Sequence, residues 1–570
     1  MNKKSDWRIY FLLVILFLIY GAIVYRLFSI QVLQHGALSA LAQGQYEIIK
    51  KTTPQRGDIF VQDKNYSSTP LATARGYPFV FLVPKEIENK EKIADSLSGI
   101  LGLDKSVILD KADKIGDPFV LLKSKLDDVG YQAIRDLNFK GVYLGEENLR
   151  WYPQGDLASH VLGFVGYKGD QRLGQYGVEG YWEEELAGKP GFLKTERDAA
   201  GRLIFTGDYT VEPAIEGSQL FLTVDPNIQF MAEQKLEALL KKWQAPSGSI
   251  VVTDPKTGAI KAMASFPDFN SNEYGKVENI DDFLNPVTQK LYEPGSIFKP
   301  ITMAAGLDTG KITPETSYVD TGSVTLNGYT ITNAAGRSYG LSTMNKVLEK
   351  SINTGAVFAE HLIGNETFKK YVEAFGFNRP TGVDLAGEVS GNISNLGGKQ
   401  DINFATASFG QGIAVTPMEI ISAIGAIANS GKMMRPYVVE KIVHSDGREE
   451  KIEPSEIRQV ISEQSANKLT AMLVSTVRNG YDKVKIKGYF IAGKTGTAQI
   501  PNFDSRGYSE QTIHSFIGYA PAYDPKFLIF IKMDKPLGIT FASDSLAPVF
   551  TEMAMYLFGY YGIAPDENGN

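Results

Sequence analysis

The sequence contains no cysteine among its 570 residues. Such a chain cannot form a disulfide, a thiolate metal site, an iron–sulfur cluster or a cysteine nucleophile. Histidine is scarce too, and the five histidines lie too far apart for an HExxH helix or another local metal-binding spacing: His35, His160, His361, His444 and His514. These absences argue against a zinc hydrolase and leave oxygen and nitrogen groups to carry the chemistry.

An excess of positive charge is also missing. Lys and Arg number 58 and Asp and Glu number 65, which leaves a net charge of −7. Binding to DNA or RNA depends on neutralising phosphates, so we expect no nucleic-acid partner. The apolar fraction of 43% and the charged fraction of 22% are typical of a folded protein. At roughly 150 residues per domain, the length allows two to four domains.

A long apolar run lies at the N-terminus. No charged residue occurs between Arg8 and Arg26, and a helix over residues 9–25 is roughly 26 Å long, which nearly spans a bilayer core. We predict a transmembrane anchor over residues 9–29. A cleavable signal peptide ending near residues 40–42 is the main alternative, but the run is longer than a usual signal core. A buried core helix fits less well, since nearly every position is apolar.

The charges that flank this run predict its orientation. Lys3, Lys4 and Arg8 precede it, whereas only Arg26 follows before Lys50. By the positive-inside rule, residues 1–8 form a cytoplasmic tail and the remaining chain lies outside the cell (inner) membrane. A catalytic domain placed there has no access to cytosolic ATP or NADH.

The body of the chain divides near residue 215. Residues 30–215 mix short β-rich runs with charged helical stretches, which predicts an α+β pedestal. Residues 216–570 begin with a strand and a long helix over 227–243 and end with a helix over 546–560. Between them the sequence predicts strands that are distant in the chain but suit one antiparallel sheet, an α+β enzyme layout: 248–253, 259–264, 489–492, 513–519 and 527–533.

The first chemical motif is Ser296-x-x-Lys299, placed where a helix would begin with Pro300 in its first turn. This spacing puts the hydroxyl and the amine one helical turn apart. A serine is a poor nucleophile at its free pKa, and a nearby neutral amine can activate it. The motif alone is weak, because Ser465 to Lys468 repeats it on an amphipathic helix without any special flank.

Two further motifs follow. Ser351-Ile-Asn353 lies in a segment with helical character, residues 344–360, where Ser and Asn are ordinary caps. Lys494-Thr-Gly-Thr497 follows an apolar run over residues 489–493. This run predicts a strand that ends in a glycine turn. Each motif on its own favours these plain structural roles.

Residues 488–495 also match the phosphate-binding pattern G-x-x-x-x-G-K-[ST]. That loop needs a flexible glycine-rich arc and a helix that starts at the lysine. Here the four middle residues are bulky strand formers, and the following segment contains Gly and Pro. We therefore reject a nucleotide hydrolase.

Taken together and in this order, the three motifs resemble the penicillin-binding protein and serine β-lactamase superfamily. The intervals, 55 residues from Ser296 to Ser351 and 143 from Ser351 to Lys494, are similar to those of its high-molecular-weight transpeptidases. The pedestal looks like the dimerisation domain of class B, monofunctional members of the penicillin-binding protein 2 or division transpeptidase type. The resemblance of the pedestal depends on motifs at residues 56–59, 150–153, 160–163 and 176–180. A longer segment after Ile59, with Lys64 in place of Arg, departs from the family pattern.

The resemblance implies a fold and a site. The fold is a five-stranded antiparallel sheet flanked by helices, within the C-terminal transpeptidase domain. Ser296 would be the nucleophile, Lys299 its base and Ser351 a proton relay, while Asn353 would hold Lys299 and Lys494 would supply charge beside Ser351. Thr495, Gly496 and Thr497 would bind substrate, and the backbone N–H groups of Ser296 and Thr497 would form the oxyanion hole.

The implied activity is that of a peptidoglycan D,D-transpeptidase, with stem peptides as substrates and β-lactams as inhibitors. The resemblance implies that this activity needs no metal ion and no organic cofactor. The chain lacks a glycosyltransferase domain, so we expect it to work with a membrane-embedded glycan polymerase of the shape, elongation, division and sporulation family. Two alternatives stay open at this point. One is a β-lactamase or D,D-carboxypeptidase, and the other is a non-catalytic β-lactam sensor or scaffold.

Overall fold

A computed structural model describes residues 7–34, 47–169, 171–197, 203–204, 210–502 and 507–566. The predicted cytoplasmic tail lies largely, and the alternative cleavage site entirely, outside the described residues. The chain forms two compact units, one of residues 1–55 with 188–216 and one of residues 56–187 with 217–570.

Helices and strands are interspersed along both halves of the chain, which confirms the α+β class. The helices are α1 (Trp7–Phe28), α2 (Lys90–Leu101), α3 (Lys105–Ala112), α4 (Asp128–Leu137), α5 (Ser159–Leu162), α6 (Gly177–Tyr181), α7 (Glu183–Ala187), α8 (Pro226–Trp243), α9 (Pro286–Gln289), α10 (Lys299–Asp308), α11 (Met344–Glu349), α12 (Asn353–Ile363), α13 (Asn365–Ala374), α14 (Asp401–Ala407), α15 (Pro417–Ala428), α16 (Glu463–Gly480), α17 (Ala542–Ser545) and α18 (Ala547–Tyr561).

The strands, numbered in chain order, are β1 (Glu47–Thr52), β2 (Ile59–Gln62), β3 (Ser68–Leu82), β4 (Val120–Lys123), β5 (Val142–Trp151), β6 (Phe164–Lys168), β7 (Gln171–Gln175), β8 (Gly191–Arg197), β9 (Leu203–Ile204), β10 (Thr210–Glu212), β11 (Gln219–Leu222), β12 (Ser247–Thr253), β13 (Ile260–Phe266), β14 (Ser317–Asp320), β15 (Ser323–Leu326), β16 (Tyr329–Thr332), β17 (Gly340–Thr343), β18 (Lys432–Met434), β19 (Val439–Val443), β20 (Glu449–Lys451), β21 (Glu456–Gln459), β22 (Ala492–Pro501), β23 (Tyr508–Ala520) and β24 (Phe527–Asp534).

The apolar N-terminal run forms α1, and a short wider helix over Ser29–Leu33 continues it. Tyr10–Leu33 is long and apolar enough to cross a membrane, and no part of its most apolar stretch is buried against other residues. A core helix of a soluble protein would be buried, so that alternative is wrong. The chain thus has one N-terminal apolar helix, consistent with a single-pass membrane anchor.

The first unit also contains a small antiparallel sheet. Its central strand is β8, which pairs with β1 along residues 191–196 and with β10 along residues 192–194. The two-residue strand β9 pairs with the end of β8. Strands far apart in sequence thus meet in one sheet.

In the second unit, a mixed sheet combines strands from both sides of the predicted boundary at residue 215. Its order is β20-β19-β11-β2-β3-β4, with β5 also paired to β3. Strand β11 runs parallel to β2, with Leu220 opposite Ile59. The division into tail, anchor, pedestal and transpeptidase domain therefore stays a prediction, since a single sheet includes strands on both sides of it.

The charged pedestal residues form a buried cluster. Glu179 is fully buried, Arg150 Nε donates to it at 2.6 Å, and Arg56 Nη2 lies at 2.6 Å from its other oxygen. Burial acts to raise the pKa of Glu179, but the two guanidinium groups outweigh burial and hold that pKa below its usual value. These three residues pair with one another, so the buried charge of Glu179 is neutralised.

A five-stranded antiparallel sheet, ordered β13-β12-β24-β23-β22, is the centre of the second unit. One face packs against α8 and α18, and the other packs against α10, α15 and α16. The expected strands at 248–253, 259–264, 513–519 and 527–533 are confirmed within a few residues. Among the described residues β22 ends the sheet order, so its outer edge is free of a strand partner.

The expected strand at residues 489–492 was misplaced. Strand β22 begins at Ala492 and contains Lys494, Thr495 and Gly496, rather than ending before them. Glycine suggested a turn at this point, but Gly496 lies within the strand. Its missing side chain leaves room for neighbouring segments that pack closely against it. No helix starts at Lys494, so the phosphate-binding alternative has no structural basis.

The segment over residues 344–360, expected to have helical character, contains two helices with a break between them. Helix α11 ends at Glu349 and α12 begins at Asn353, with Ser351 between them at a φ of +55°. This left-handed conformation is uncommon for a residue other than glycine. The break turns both the Ser351 carbonyl and its hydroxyl toward Lys299.

Candidate active site

The Ser-x-x-Lys motif lies at the start of a helix, as predicted. Residues Gly295–Phe298 form a 3₁₀ turn, and α10 begins directly afterwards at Lys299. Pro300 stands in the first turn of α10, where its missing N–H costs nothing. Ser296 is partly exposed, whereas Lys299 is completely buried. The hydroxyl is therefore accessible, and the amine is kept from water.

Two glycines allow this turn to approach strand β22. A Cβ on Gly295, whose φ is +60°, would lie 2.9 Å from the Ala498 Cβ. A Cβ on Gly496 would overlap Ser515 Oγ of the neighbouring strand and would lie 3.0 Å from both the Pro294 carbonyl oxygen and the Ile297 side chain. Such distances are shorter than van der Waals contact, so both positions require glycine. The strand can thereby lie beside the serine.

Three oxygen atoms surround the Lys299 amine. Its Nζ donates to the Ser351 carbonyl at 2.6 Å and to Asn353 Oδ1 at 2.8 Å, and it lies 3.2 Å from Ser351 Oγ. Burial, followed by the nearby charge of Lys494, holds the pKa of Lys299 well below the usual value for lysine. The environment thus favours the neutral amine, which is the form that can accept a proton.

Ser351 connects the two lysines of the site. Its Oγ lies 3.2 Å from Lys299 Nζ and 3.0 Å from Lys494 Nζ. A hydroxyl can donate one proton and accept two. Ser351 is therefore able to pass a proton from one amine to another group while it stays in place.

Asn353 has a fixed orientation. Its Nδ2 donates to the Thr332 carbonyl at 2.9 Å, which leaves Oδ1 facing Lys299. Its backbone N–H donates to Asn333 Oδ1 at 3.0 Å. Asn333 in turn donates to both carboxylate oxygens of Asp320 at 3.0 Å. This network behind the site holds the Asn353 amide so that its oxygen accepts from the lysine.

Lys494 extends from strand β22 to Ser351, which also contacts Lys299. Its Nζ donates to Ser351 Oγ at 3.0 Å, to the Tyr481 hydroxyl at 3.1 Å and to the Thr495 carbonyl at 2.9 Å. All three motifs therefore meet in one hydrogen-bonded cluster. Tyr481, which follows the end of α16, belongs to none of the three motifs and could not be recognised from the sequence.

The three predicted substrate-binding residues lie in succession on β22. Side chains alternate along a strand, so Lys494 and Gly496 face one side and Thr495 and Thr497 face the other. The Thr495 hydroxyl lies 2.9 Å from that of Tyr481, and Thr497 Oγ1 accepts from the Ala542 N–H at 3.1 Å. The predicted role of these residues in binding a carboxylate stays a prediction.

The second Ser-x-x-Lys copy lies elsewhere. Ser465 is buried in the first turn of α16, where its hydroxyl lies 2.9 Å from that of Ser462, and Lys468 is exposed. Ser462 donates to Asp308, the last residue of α10. Lys299 is the first residue of that helix, so this copy lies at the opposite end of α10 from the site. The expectation that Ser465 lies on a helix surface was wrong.

Comparisons with known proteins agree with this geometry. Residues 248–554 match the family described as "Penicillin binding protein transpeptidase domain", and residues 51–222 match "Penicillin-binding Protein dimerisation domain". The chain is 32% identical over 566 residues to Stage V sporulation protein D of Bacillus subtilis, covering 97% of this chain and 86% of that protein. It is 28% identical to Peptidoglycan D,D-transpeptidase FtsI of Buchnera aphidicola, and this match covers 99% of this chain and 97% of that protein.

The fold agrees as well. The crystal structure of penicillin-binding protein 3 from Mycobacterium tuberculosis complexed with aztreonam superposes with a TM-score of 0.69 at 25% identity, covering 90% of this chain and 98% of that one. Family models and relatives together cover the chain from the dimerisation domain to the last helix of the enzyme domain. This chain belongs to the penicillin-binding proteins, and it combines their dimerisation domain with their transpeptidase domain.

Proposed function

We propose that this penicillin-binding protein, a peptidoglycan D,D-transpeptidase, works through an acyl-enzyme on Ser296. The observation that supports this most is the buried Lys299 amine. Its pKa is lowered by burial, it stands three residues after a partly exposed serine, and it is held by Ser351 and Asn353. A neutral amine has two N–H donors and one lone pair. The Ser351 carbonyl and Asn353 Oδ1 accept the two N–H bonds, which leaves the lone pair for a hydroxyl proton.

In the first half-reaction, the Ser296 oxygen attacks the carbonyl carbon of the penultimate D-Ala of a stem peptide while Lys299 takes the serine proton. The developing oxyanion lies between the backbone N–H groups of Ser296 and Thr497. The C–N bond to the terminal D-Ala then breaks, and the leaving amine receives a proton by way of Ser351. The products are an ester on Ser296 and free D-Ala.

In the second half-reaction, the amine of another stem peptide attacks the ester. The acceptor nitrogen loses a proton to Lys299, through Ser351, as the new C–N bond forms. Lys299 then returns a proton to the Ser296 oxygen as the ester C–O bond breaks, which restores the free serine and the neutral amine. Thr495, Gly496 and Thr497 bind the terminal carboxylate of the donor peptide, and the nearby charge of Lys494 favours an anion there. A β-lactam enters the same site as a mimic of D-Ala-D-Ala and stays attached as an ester.

The experiment that tests this activity uses the purified full-length protein with glycan strands that carry pentapeptide stems. We expect cross-linked peptide dimers and one free D-Ala for each cross-link, both measured by mass spectrometry and both prevented by penicillin. Release of D-Ala with only shortened, uncross-linked peptides would contradict the proposal, because water would then be the acceptor.

We also propose a cellular arrangement. Residues 1–8 lie in the cytoplasm, the helix over residues 9–29 crosses the cell membrane once, and the transpeptidase domain, residues 216–570, lies outside on a pedestal of residues 30–215. The charge bias around the apolar run supports this orientation. The proposed partner is a glycan polymerase of the shape, elongation, division and sporulation family, which would supply the strands to be cross-linked.

Helix packing within a membrane depends on close approach at small residues. Gly21, beside Ala22 on α1, has no atom within 4 Å of the position of a Cβ, so this face is open to a partner. Replacing residues 9–29 with an unrelated anchor is expected to reduce co-purification of the polymerase. Gly21→Leu should have the same effect, while Ile15→Leu is the matched control. Unchanged co-purification and growth would contradict the intramembrane contact.

A further inference from the structure

Tyr481 is a buried tyrosine whose hydroxyl contacts two of the site residues. It follows α16, its side chain belongs to the core behind the sheet, and the residue is 6% exposed. Its hydroxyl accepts from Lys494 Nζ at 3.1 Å and from the Thr495 backbone N–H at 3.3 Å, and it lies 2.9 Å from Thr495 Oγ1. Tyr481 lies outside the three motifs.

The Lys494 ammonium uses all of its donors in this arrangement. It has three N–H bonds, and three acceptors surround it: Ser351 Oγ, the Tyr481 hydroxyl and the Thr495 carbonyl. Lys494 is 1% exposed, so water cannot replace a lost acceptor without rearrangement. The Tyr481 oxygen is the only one of the three acceptors that lies outside the family motifs.

The same hydroxyl holds the Thr495 side chain in place. Thr495 Oγ1 donates to the Tyr481 hydroxyl at 2.9 Å, and the Thr495 backbone N–H donates to it at 3.3 Å. Each hydroxyl has one proton and can also accept. When a carboxylate accepts the Thr495 proton, the Tyr481 proton can replace it between the two oxygens, so the Thr495 side chain keeps its position.

The position of the Tyr481 ring is determined on several sides. Its backbone N–H donates to the Val477 carbonyl at 3.2 Å, and its own carbonyl accepts from the Val484 N–H at 3.1 Å. The ring packs edge-on against Phe516, with centroids 6.1 Å apart at 66°. The hydroxyl thus approaches Lys494 and Thr495 from a rigid part of the fold.

We propose that Tyr481 is a positioning residue for the carboxylate subsite, which holds the Lys494 ammonium and the Thr495 side chain in place where the terminal carboxylate of a stem peptide or of a β-lactam binds. It acts through these two residues rather than on the acyl carbon. This inference rests on the proposed function, because it takes Thr495 as a group that binds the carboxylate and Lys494 as the positive charge beside it.

The test compares benzylpenicillin with its methyl ester, which lacks the negative charge. Tyr481→Phe removes the hydroxyl and keeps the ring. We expect the second-order rate of acylation by benzylpenicillin to fall roughly 10- to 100-fold, the usual effect of losing a hydrogen bond to a charged group. The rate with the methyl ester should change by less than about threefold, as it does not use this subsite. The ratio of the rate with benzylpenicillin to the rate with its methyl ester should therefore fall by nearly the same roughly 10- to 100-fold.

Tyr519→Phe is the matched control. Tyr519 is also fully buried, and its hydroxyl lies 2.8 Å from Thr470 Oγ1, away from the cluster. This variant should keep the wild-type preference for the free acid. As a second variant, 3-fluorotyrosine in place of Tyr481 preserves every heavy atom of the phenol and weakens its oxygen as an acceptor. It should shift the preference in the same direction by a smaller factor.

An unchanged preference in Tyr481→Phe would overturn the inference, and so would an equal loss with both compounds, since either result would mean a purely structural role. If Tyr481→Phe did not fold, the fluorotyrosine protein would decide by the same criterion. A failure of the proposed function is distinguishable, because it would appear in the unaltered protein as an absence of acylation at Ser296.

Discussion

Ser296→Ala is expected to abolish covalent attachment of penicillin. The wild-type protein should gain the mass of one penicillin, and the adduct should last from minutes to hours because a transpeptidase presents its ester to an amine rather than to water. The variant has no oxygen at the reacting position, so no adduct should form at any concentration of drug. Intact-protein mass spectrometry over time measures both results, and an unchanged thermal unfolding curve shows that the variant is folded.

Ser465→Ala is the control with the same sequence motif. Ser465 is buried at the start of α16, and its neighbour in the motif, Lys468, is exposed, so no amine is held beside that hydroxyl. This variant should react with penicillin as the wild type does. An adduct on Ser296→Ala, or the loss of the adduct in Ser465→Ala, would contradict the assignment. Loss of the wild-type adduct within seconds would indicate a β-lactamase instead.

Lys299→Ala should slow acylation by about 10²- to 10⁴-fold, the range typical of losing a general base. The fold should remain intact, because the buried amine is replaced by a small apolar group and the Ser351 and Asn353 segments are held by other bonds. Lys299→Arg should be equally slow, since a guanidinium stays charged and has no lone pair to accept the Ser296 proton. Stopped-flow acylation with a chromogenic β-lactam measures these rates.

The pH profile gives an independent check on Lys299. Burial and the charge of Lys494 place its pKa well below the usual value. Above this lowered pKa the amine is neutral and acylation is fast. As the pH falls through it, the amine is protonated and the rate should drop by a factor approaching ten per pH unit. The drop should be absent in Lys299→Ala. A wild-type rate that does not depend on pH on the acidic side, or a drop that persists in the variant, would contradict Lys299 as the base.

The sheet of the enzyme domain could be predicted from the sequence because its strands are apolar and bounded by turns. Four of the five expected strands lie where the pattern placed them, and the closing helix begins at Ala547. The fifth, β22, was misplaced because glycine usually marks a turn. In this strand a side chain at Gly496 would meet Ser515 on the neighbouring strand as well as Pro294 and Ile297. The last two come from a segment almost 200 residues away, so no local pattern reveals the contact.

The reacting side chains could be predicted only in part. Ser296, Lys299, Ser351, Asn353 and Lys494 each match a short motif, and their order identified the family. The left-handed backbone at Ser351, which directs its carbonyl to Lys299, was not predictable, since serine favours no such conformation. Tyr481 was missed for another reason. It comes from the end of α16 and reaches Lys494 through packing against Phe516, so only the tertiary structure brings it to the site.

The most direct test of the central claim is the position of the acyl group in the wild-type protein. After brief exposure to labelled penicillin and digestion with trypsin, the two candidate serines separate into different peptides. Cleavage after Lys290 and Lys311, with the Lys299–Pro300 bond uncut, gives residues 291–311 with Ser296, whereas Ser465 lies in residues 459–468. We predict that the label is found on residues 291–311, at Ser296. Label on residues 459–468, or on any residue other than Ser296, would contradict the account.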